Sequence, residues 1–228
     1  MSSEPLVQLT RAGLVCRGSD ADLEPLRLDF DRQHWVRLPR FFSLDLLAFI
    51  QARMEQASFD EFDHARAGNV RARELVMTDD VSWSYLEFLV NDPGLFRIVQ
   101  AVTGCGHIGC FTGRVYRMLP GPEHYDSWHG DLVEQRVIAL TVNLSADAYE
   151  GGVLQFRRWT SDEILSEVAN RGLGDAVVFR LSENLAHRVS GVTGATPKTA
   201  FAGWFRSEPD FLSWLKASSS VSQVAHRR

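Results

Sequence analysis

The stretch that decides the fold is Gly174-Asp-Ala-Val-Val-Phe-Arg-Leu-Ser-Glu-Asn-Leu-Ala-His-Arg-Val-Ser-Gly-Val192. It contains a short apolar run, Asp175–Phe179, then a polar turn, and then a second β-rich run that begins at His187. Apolar, β-branched and aromatic residues bounded by Gly, Ser, Asn and Asp are typical of short strands. The stretch therefore predicts two neighbouring antiparallel strands, with His187 at the beginning of the second.

Similar segments occupy the chain from residue 107 onward. The other predicted strands are Phe111–Met118, Arg136–Leu144, Val153–Arg158 and Thr199–Phe205. Residues Ser161–Asn170 lack the pattern, and we expect a short helix or a loop there. So many short strands in sequence predict an antiparallel double sheet.

The first half of the chain has a different pattern. Phe42–Met54 has apolar residues at helical spacing, and Ser43 can cap the helix. A second helix is predicted from Ser84 to Thr103, interrupted by a turn at Asn91-Asp-Pro-Gly94. Arg71–Met77 reads as a strand, and the first thirty residues as one or two peripheral strands.

Helices followed by strands predict an α+β fold, a double-stranded β-helix (jelly roll) with helices packed on one face. We expect a single domain over residues 1–228. Its parts would be a peripheral N-terminal segment (1–30), a mainly helical support (31–106), the jelly-roll core (107–206) and a C-terminal tail (207–228).

Composition and charge exclude several classes of protein. The chain is 45% apolar and 23% charged, which is typical of an ordinary folded domain. A net charge of −5 without a Lys/Arg-rich run predicts no nucleic-acid partner. No apolar run has the length of a membrane span, and the first residues do not resemble a signal peptide. The three cysteines therefore predict reduced thiols and a cytoplasmic protein.

Three residues form a candidate metal site. His129 and Asp131 have i, i+2 spacing, so on an extended chain both side chains point to the same side. Alone, this pair is typical of a surface His beside a capping Asp. His187 adds a second imidazole on a strand that an antiparallel roll can bring opposite the first pair. Two His and one carboxylate on one side of an ion form the facial triad of non-haem iron(II) oxygenases.

A cation follows the second histidine. Lys198 begins the next predicted strand, eleven residues after His187. A dicarboxylate bound to iron at one end needs a charge partner for its other end, and a Lys can donate charge-assisted hydrogen bonds to it. A lone Lys is otherwise most often solvated.

From about residue 111 to 206 the sequence resembles the 2-oxoglutarate and iron-dependent dioxygenase superfamily, on its prolyl-hydroxylase-like branch. The resemblance rests on segments that occur in the family's order. These are Tyr116 through Tyr125, Trp128-His-Gly-Asp131, Arg136 through Ser145, Gly151-Gly-Val-Leu-Gln-Phe156, Gly174-Asp-Ala-Val-Val-Phe179, His187-Arg-Val189 and Lys198.

The resemblance implies Fe(II), 2-oxoglutarate and O2 as cofactor and co-substrates. It implies that Lys198 and Tyr116 bind 2-oxoglutarate, and that Asn143 does so where relatives often have a tyrosine. Trp204 has the parity of Lys198 on one strand, so it is either a wall of the substrate pocket or a core residue. Trp128 is a second candidate wall.

The expected activity is hydroxylation of an unactivated C–H bond, with release of succinate and CO2. The substrate would be an amino acid, a peptide or another small molecule such as a natural product, and the sequence indicates no oligomeric state. Two alternatives stay open: a cupin-type metal dioxygenase that does not need 2-oxoglutarate, and a non-catalytic jelly-roll binding or sensor module. Cys105 and Cys110 resemble a metal clip but more often are small buried residues around a turn.

Overall fold

A computed structural model describes residues 4–66, 70–78, 80–133 and 135–216 of the chain. Its helices are α1 Asp20–Gln33, α2 Leu44–Met54, α3 Asp80–Val90 and α4 Pro93–Thr103. Its strands up to the centre of the chain are β1 Val7–Thr10, β2 Gly13–Cys16, β3 Trp35–Leu38, β4 Phe59–Arg66, β5 Val70–Met77, β6 Cys110–Met118 and β7 Asp126–His129. The later strands are β8 Arg136–Asn143, β9 Glu150–Gly151, β10 Leu154–Arg158, β11 Ile164–Val168, β12 Ala176–Arg180, β13 Leu185–Val189, β14 Val192–Thr193 and β15 Lys198–Arg206.

Two sheets of unequal size form the β part of the fold. The larger has seven strands in the order β3-β12-β8-β15-β6-β5-β4, and the smaller has four in the order β11-β10-β13-β7. Neighbouring strands in both sheets pair antiparallel. The predicted α+β jelly roll is confirmed by this architecture together with the structural likenesses described below.

The larger sheet lies between the helices and the smaller sheet. Along β15, Phe201 and Phe205 are fully buried in the cluster that contains the apolar faces of α2, α3 and α4. Trp204, on the other face of β15, packs against a second apolar cluster, to which Phe156 of the smaller sheet belongs. Because side chains alternate along a strand, each strand of the larger sheet contributes to both layers.

The break between α3 and α4 fixes the helices on the sheet. Asp92 caps α4 by accepting a hydrogen bond from the Gly94 backbone N–H at 2.7 Å, and Pro93 occupies the first helical turn. Asn91 donates to the Phe111 carbonyl at 2.9 Å and accepts from the Phe111 N–H at 2.8 Å. The predicted interruption is therefore a connection that holds the helix junction to β6.

Two predictions about secondary structure were wrong. Residues 161–170 contain strand β11, which pairs antiparallel with β10, and not a short helix or loop. Within the first thirty residues the hairpin β1–β2 is followed by most of helix α1, which was not predicted. This segment is not merely peripheral, because Leu9 and Phe30 are fully buried in the main core. The segment 31–106 also includes β3, β4 and β5 besides its helices, and residues 217–228 of the predicted tail lie outside the described part of the chain.

Candidate active site

The three predicted ligand residues meet between the two sheets. His129 on β7 is directly opposite His187 on β13, and Asp131 follows two residues after β7 ends. Asp131 Oδ2 lies 3.5 Å from His129 Nε2 and 3.6 Å from His187 Nε2. All three residues are more than nine-tenths buried. His187 is the third residue of β13. The sequence had predicted that it would be the first residue of its strand.

The His129 ring has a defined tautomer. Its Nδ1 lies 2.6 Å from the backbone carbonyl oxygen of Ser127. A carbonyl oxygen only accepts hydrogen bonds, so Nδ1 carries the proton and Nε2 keeps its lone pair. That lone pair faces Asp131 and His187, as a metal ligand's should.

The His187 ring is enclosed by aromatic side chains. Its centroid lies 5.1 Å from that of Phe179 and 6.3 Å from that of Phe156. Burial lowers the pKa of His187, although Asp131 opposes this effect. The imidazole is thus held in the neutral form that binds metal ions.

Asp131 is held as a carboxylate from several sides. Burial by itself raises the pKa of Asp131, but the neighbouring His129 and His187 outweigh this effect and hold the pKa well below its usual range. Trp204 Nε1 donates a hydrogen bond to Asp131 Oδ2 at 2.9 Å, and Arg136 Nη1 lies 3.5 Å from Oδ1. The Arg136 guanidinium also stacks on the Trp204 indole, 3.7 Å from the ring centroid.

These three residues fit a divalent metal ion. Two ligands at a right angle around an ion, each about 2.1 Å from it, are about 3.0 Å apart. The observed separations are slightly wider, and all three ligand atoms lie within 4.8 Å of one another. Among the described residues this is the one group of His, Cys and acidic side chains that meets this criterion, and Cys105 and Cys110 belong to no such group.

The triad forms one wall of a cavity of about 750 Å³, a volume that includes the part open to solvent. The predicted residues Tyr116, Lys198 and Trp204 line the same cavity. Burial raises the pKa of Tyr116 further above its usual value, so its phenol is a neutral hydrogen-bonding group. The cavity can therefore take a ligand that reaches from the triad to a cation.

Lys198 supplies that cation. Its Nζ donates to the Gly152 carbonyl oxygen at 2.9 Å, and no carboxylate of the described residues lies within 4.0 Å of it. Burial lowers the pKa of Lys198 to about 8, with Asp126 and Glu74 opposing the effect. A buried ammonium group that donates to a backbone carbonyl is suited to bind an anionic ligand as well.

Gly152 is a residue of this site to which the sequence analysis gave no role. Its φ is +59°, and a Cβ at this position would lie 2.9 Å from Lys198 Cδ and 3.0 Å from a Tyr149 ring carbon. The Gly151-Gly152 pair therefore allows the backbone to approach the lysine. Arg136, which contacts Asp131, is a second residue of the site to which the sequence analysis gave no role.

Two predicted binding residues are placed elsewhere, and these assignments are corrected. Asn143 does not line the main cavity; its Nδ2 donates to the Gly172 carbonyl oxygen at 3.2 Å and its Oδ1 accepts from the Ser145 N–H at 3.0 Å. Trp128 also lies away from the cavity. Its ring contacts Arg157 and Arg188, each 4.6 Å from the ring centroid, on the opposite face of β7 from His129.

The sequence model of the 2OG-Fe(II) oxygenase superfamily matches residues 113–206. This range runs from within β6 to the end of β15, and it contains the triad and Lys198. No curated protein sequence is significantly similar to the chain.

Several solved structures share the fold. One is an oxidoreductase of the 2OG-Fe(II) oxygenase family from Burkholderia pseudomallei, with 17% identity, a TM-score of 0.60 and coverage of 89% of this chain and 97% of that one. A prolyl-4-hydroxylase from Pseudomonas putida has 16% identity, a TM-score of 0.56 and coverage of 82% and 100%. The epimerase SnoN, solved with Fe3+, alpha-ketoglutarate and nogalamycin RO, has 12% identity, a TM-score of 0.57 and coverage of 82% and 84%.

None of the described helices has both the length and the apolar character that crossing a bilayer requires. The family model covers the strands that carry the triad, and the buried ligand set and the shared fold agree with it. Residues 113–206 thus match the 2OG-Fe(II) oxygenase superfamily, and the chain has the fold of solved structures from that family.

Proposed function

We propose that the protein is an iron(II)- and 2-oxoglutarate-dependent hydroxylase that inserts oxygen into an unactivated C–H bond of an amino acid, a peptide or a small natural product. One observation carries the proposal: a buried His-Asp-His ligand set and a buried lysine line the same cavity. The first suits iron and the second suits the far carboxylate of a dicarboxylate.

In this proposal His129, Asp131 and His187 hold the iron, and Lys198 and Tyr116 hold 2-oxoglutarate. Bound iron would use 2-oxoglutarate and O2 to oxidise the substrate, with succinate and CO2 as the other products. The chain itself would bind and orient the reactants.

Trp204 and Arg136 would act on the carboxylate ligand. The indole N–H and the guanidinium approach different oxygens of Asp131, so together they define the plane of the carboxylate. Such partners orient a ligand before the metal binds. Trp204 also lines the cavity, so the same ring can contact substrate.

The rim of the cavity supports a polar substrate. Arg114 pairs with Glu74, whose Oε1 lies 2.8 Å from Arg114 Nε, and both residues line the cavity. Arg73, on the same rim, pairs with Asp63 at 2.8 Å. These side chains offer both signs of charge to an amino acid, a peptide or a polar small molecule.

Lys198 and the triad argue against the two alternative functions. A cupin-type dioxygenase that does not use 2-oxoglutarate has no need of a buried cation opposite its metal. A non-catalytic binding module has no need of a buried set of three metal ligands. We further propose that the protein works in the cytoplasm as a single domain, and its three free cysteines are compatible with a reducing compartment.

The test is a substrate screen with iron(II), 2-oxoglutarate and O2. Candidate amino acids, peptides and natural products are assayed for coupled formation of succinate, and mass spectrometry records whether the product has gained one oxygen atom. Succinate formation that depends on iron and on the substrate supports the proposal. Turnover without consumption of 2-oxoglutarate would favour the cupin-type alternative.

A further inference from the structure

A small second cavity lies behind Lys198. It shares Thr141, Leu154 and Lys198 with the main cavity, so the lysine forms part of the wall between them. The remaining lining residues are Asn143, Gly152, Val168, Asn170, Val177 and Ala200. The small cavity is therefore mainly apolar, with a few polar groups around the lysine.

Asn170 has a side-chain oxygen, Oδ1, to which none of the described residues donates a hydrogen bond. The residue is 7% exposed, and its Nδ2 donates to the Asp175 carbonyl oxygen at 2.9 Å. Its backbone carbonyl accepts from the Tyr149 hydroxyl at 2.7 Å. Its Oδ1 is buried, and no donor of the described residues lies within hydrogen-bond distance of it. A buried acceptor of this kind is costly unless something donates to it.

Lys198 has more N–H donors than its hydrogen bond to Gly152 uses. An ammonium group has three N–H donors, and the Gly152 carbonyl accepts one of them at 2.9 Å. Under the proposed function, a second donor points into the main cavity and binds the far carboxylate of 2-oxoglutarate. The third donor remains available to a group in the small cavity, which Lys198 and Asn170 both line.

We propose that one ordered water molecule in the small cavity accepts from Lys198 Nζ and donates to Asn170 Oδ1, which makes Asn170 a positioning residue for the 2-oxoglutarate anchor. This inference rests on the role of Lys198 in the proposed function. The cavity is small, with room for one bound water molecule. Thr141 supplies a further polar group at the same wall.

The water would complete the hydrogen bonds of the ammonium group and so fix its direction. Without it, the lysine would gain by turning toward Asn170 Oδ1 and away from the main cavity. Pre-positioning a charged group reduces what a ligand must reorganise on binding. Asn170 would thus act on 2-oxoglutarate binding without touching it.

Val177→Ile tests the water without changing either of its partners. Val177 lines the small cavity and not the main one, so the extra methyl group would displace the water. Val178→Ile is the matched control, because it makes the same change one residue along β12, where the side chain faces the helical layer. Both changes add volume to a packed interior, so both have a similar cost in stability.

Asn170→Asp is a second, independent variant. It places a carboxylate where Oδ1 lies, and this carboxylate competes with 2-oxoglutarate for the ammonium group. Asn184→Asp, on an exposed turn, is its control for the added charge. Circular dichroism and thermal unfolding would establish that each variant is folded.

The readout is the dissociation constant of 2-oxoglutarate for the anaerobic iron(II)-loaded protein, followed by its metal-to-ligand charge-transfer band. We expect Val177→Ile and Asn170→Asp to weaken binding about tenfold or more, since each disturbs a hydrogen bond to a charged group. Neither control should change it. A high-resolution crystal structure should show the water between Lys198 Nζ and Asn170 Oδ1.

Two results would overturn the inference. One is binding within twofold of wild type in both Val177→Ile and Asn170→Asp. The other is a crystal structure without a water between the two atoms. Lys198→Met is measured in parallel to separate the two proposals, because normal 2-oxoglutarate binding in that variant would instead refute the role of Lys198 itself.

Discussion

Trp204→Phe removes one hydrogen bond from the carboxylate of the triad and leaves an aromatic ring in its place. The indole N–H donates to Asp131 Oδ2 at 2.9 Å, and this oxygen also lies closest to both histidine nitrogens. A hydrogen bond to a charged group contributes about 1.5–3 kcal/mol. At about 1.4 kcal/mol per factor of ten, its loss should weaken iron(II) binding by roughly 10- to 100-fold.

The Phe ring should retain most of the packing. Phe keeps a face on which the Arg136 guanidinium can stack, although less strongly than on an indole. We therefore expect a folded protein with a loosened carboxylate. The charge-transfer band of its iron(II)–2-oxoglutarate complex should also shift, because the environment of one ligand has changed.

Anaerobic titration with iron(II) gives the affinity, and absorption spectra of the 2-oxoglutarate complex give the band. Trp214→Phe, on the helical segment after β15, makes the same substitution outside the cavity and should leave both unchanged. If Trp204→Phe binds iron(II) as tightly as wild type and its band does not move, the indole does not position Asp131. The reasoning from the 2.9 Å contact would then be refuted.

The remaining predictions concern the ligands, the anchor and one buried acid. His129→Ala or His187→Ala should abolish iron-dependent turnover while circular dichroism shows a retained fold, whereas unfolding of both would make these histidines structural. Lys198→Met should weaken 2-oxoglutarate binding about a hundredfold or more, since a shielded ion pair contributes about 4 kcal/mol, and Arg206→Ala, roughly 26 Å farther along β15, should change it little. Because burial lowers the pKa of Lys198 to about 8, 2-oxoglutarate affinity should fall as the pH rises through that value, and Lys198→Arg should not show this fall. Glu87→Gln should stabilise the protein at alkaline pH, as measured by urea unfolding.

Side chains alternate between the two faces of a strand, and this alternation explains which residues of the site could be predicted. Lys198 and Trp204 are six residues apart on β15, and both line the cavity. His129 and Asp131 point to the same side, as their i, i+2 spacing predicts. The same rule contradicts Trp128 as a pocket wall, because a residue next to an inward-pointing His129 on a strand faces outward. The sequence alone could therefore have argued against Trp128 as a wall of the pocket.

Asn143 shows where parity is not enough. Its side chain lies on the inner face of β8, but at the end of the strand, where two turns approach it. The Gly172 carbonyl and the Ser145 N–H use both ends of its amide. Thr141, two residues earlier on the same face, lines the main cavity instead. Which side chain on a strand face reaches the ligand depends on how deep it lies in the barrel. Strand pairing sets this depth, and a single sequence does not reveal it.

Helix α1 and strand β11 were not predicted because neither has a clear apolar pattern in the sequence. Helix α1 contains Pro25 and buries only Leu23 and Phe30, so its apolar face is too narrow to stand out. Strand β11 is at the edge of the smaller sheet, and most of its side chains are exposed or half-buried. Tertiary contacts decide both elements, with β10 providing the partner for β11.

Glu87 lies in the helical layer that packs against the larger sheet. Glu87 on α3 is 2% exposed, and it accepts a hydrogen bond from the Gly113 backbone N–H at 2.6 Å. Burial raises its pKa from 4.5 to about 7, and the hydrogen bond offsets only part of this. Below about pH 4.5 the carboxyl is protonated in both the folded and the unfolded chain, so it does not favour unfolding.

As the pH rises from 4.5 toward 7, the unfolded chain releases this proton and the folded chain retains it, so stability falls. The difference in pKa corresponds to about 3 kcal/mol once the pH is above both values. Glu87→Gln keeps an amide oxygen for the Gly113 N–H and has no proton to lose. Its stability relative to wild type should therefore rise by about this amount between acid and alkaline pH, while Glu24→Gln, an exposed residue on α1, should show no such rise. Parallel stability curves for Glu87→Gln and wild type across this pH range would mean that Glu87 is ionised as readily in the folded chain as in the unfolded one.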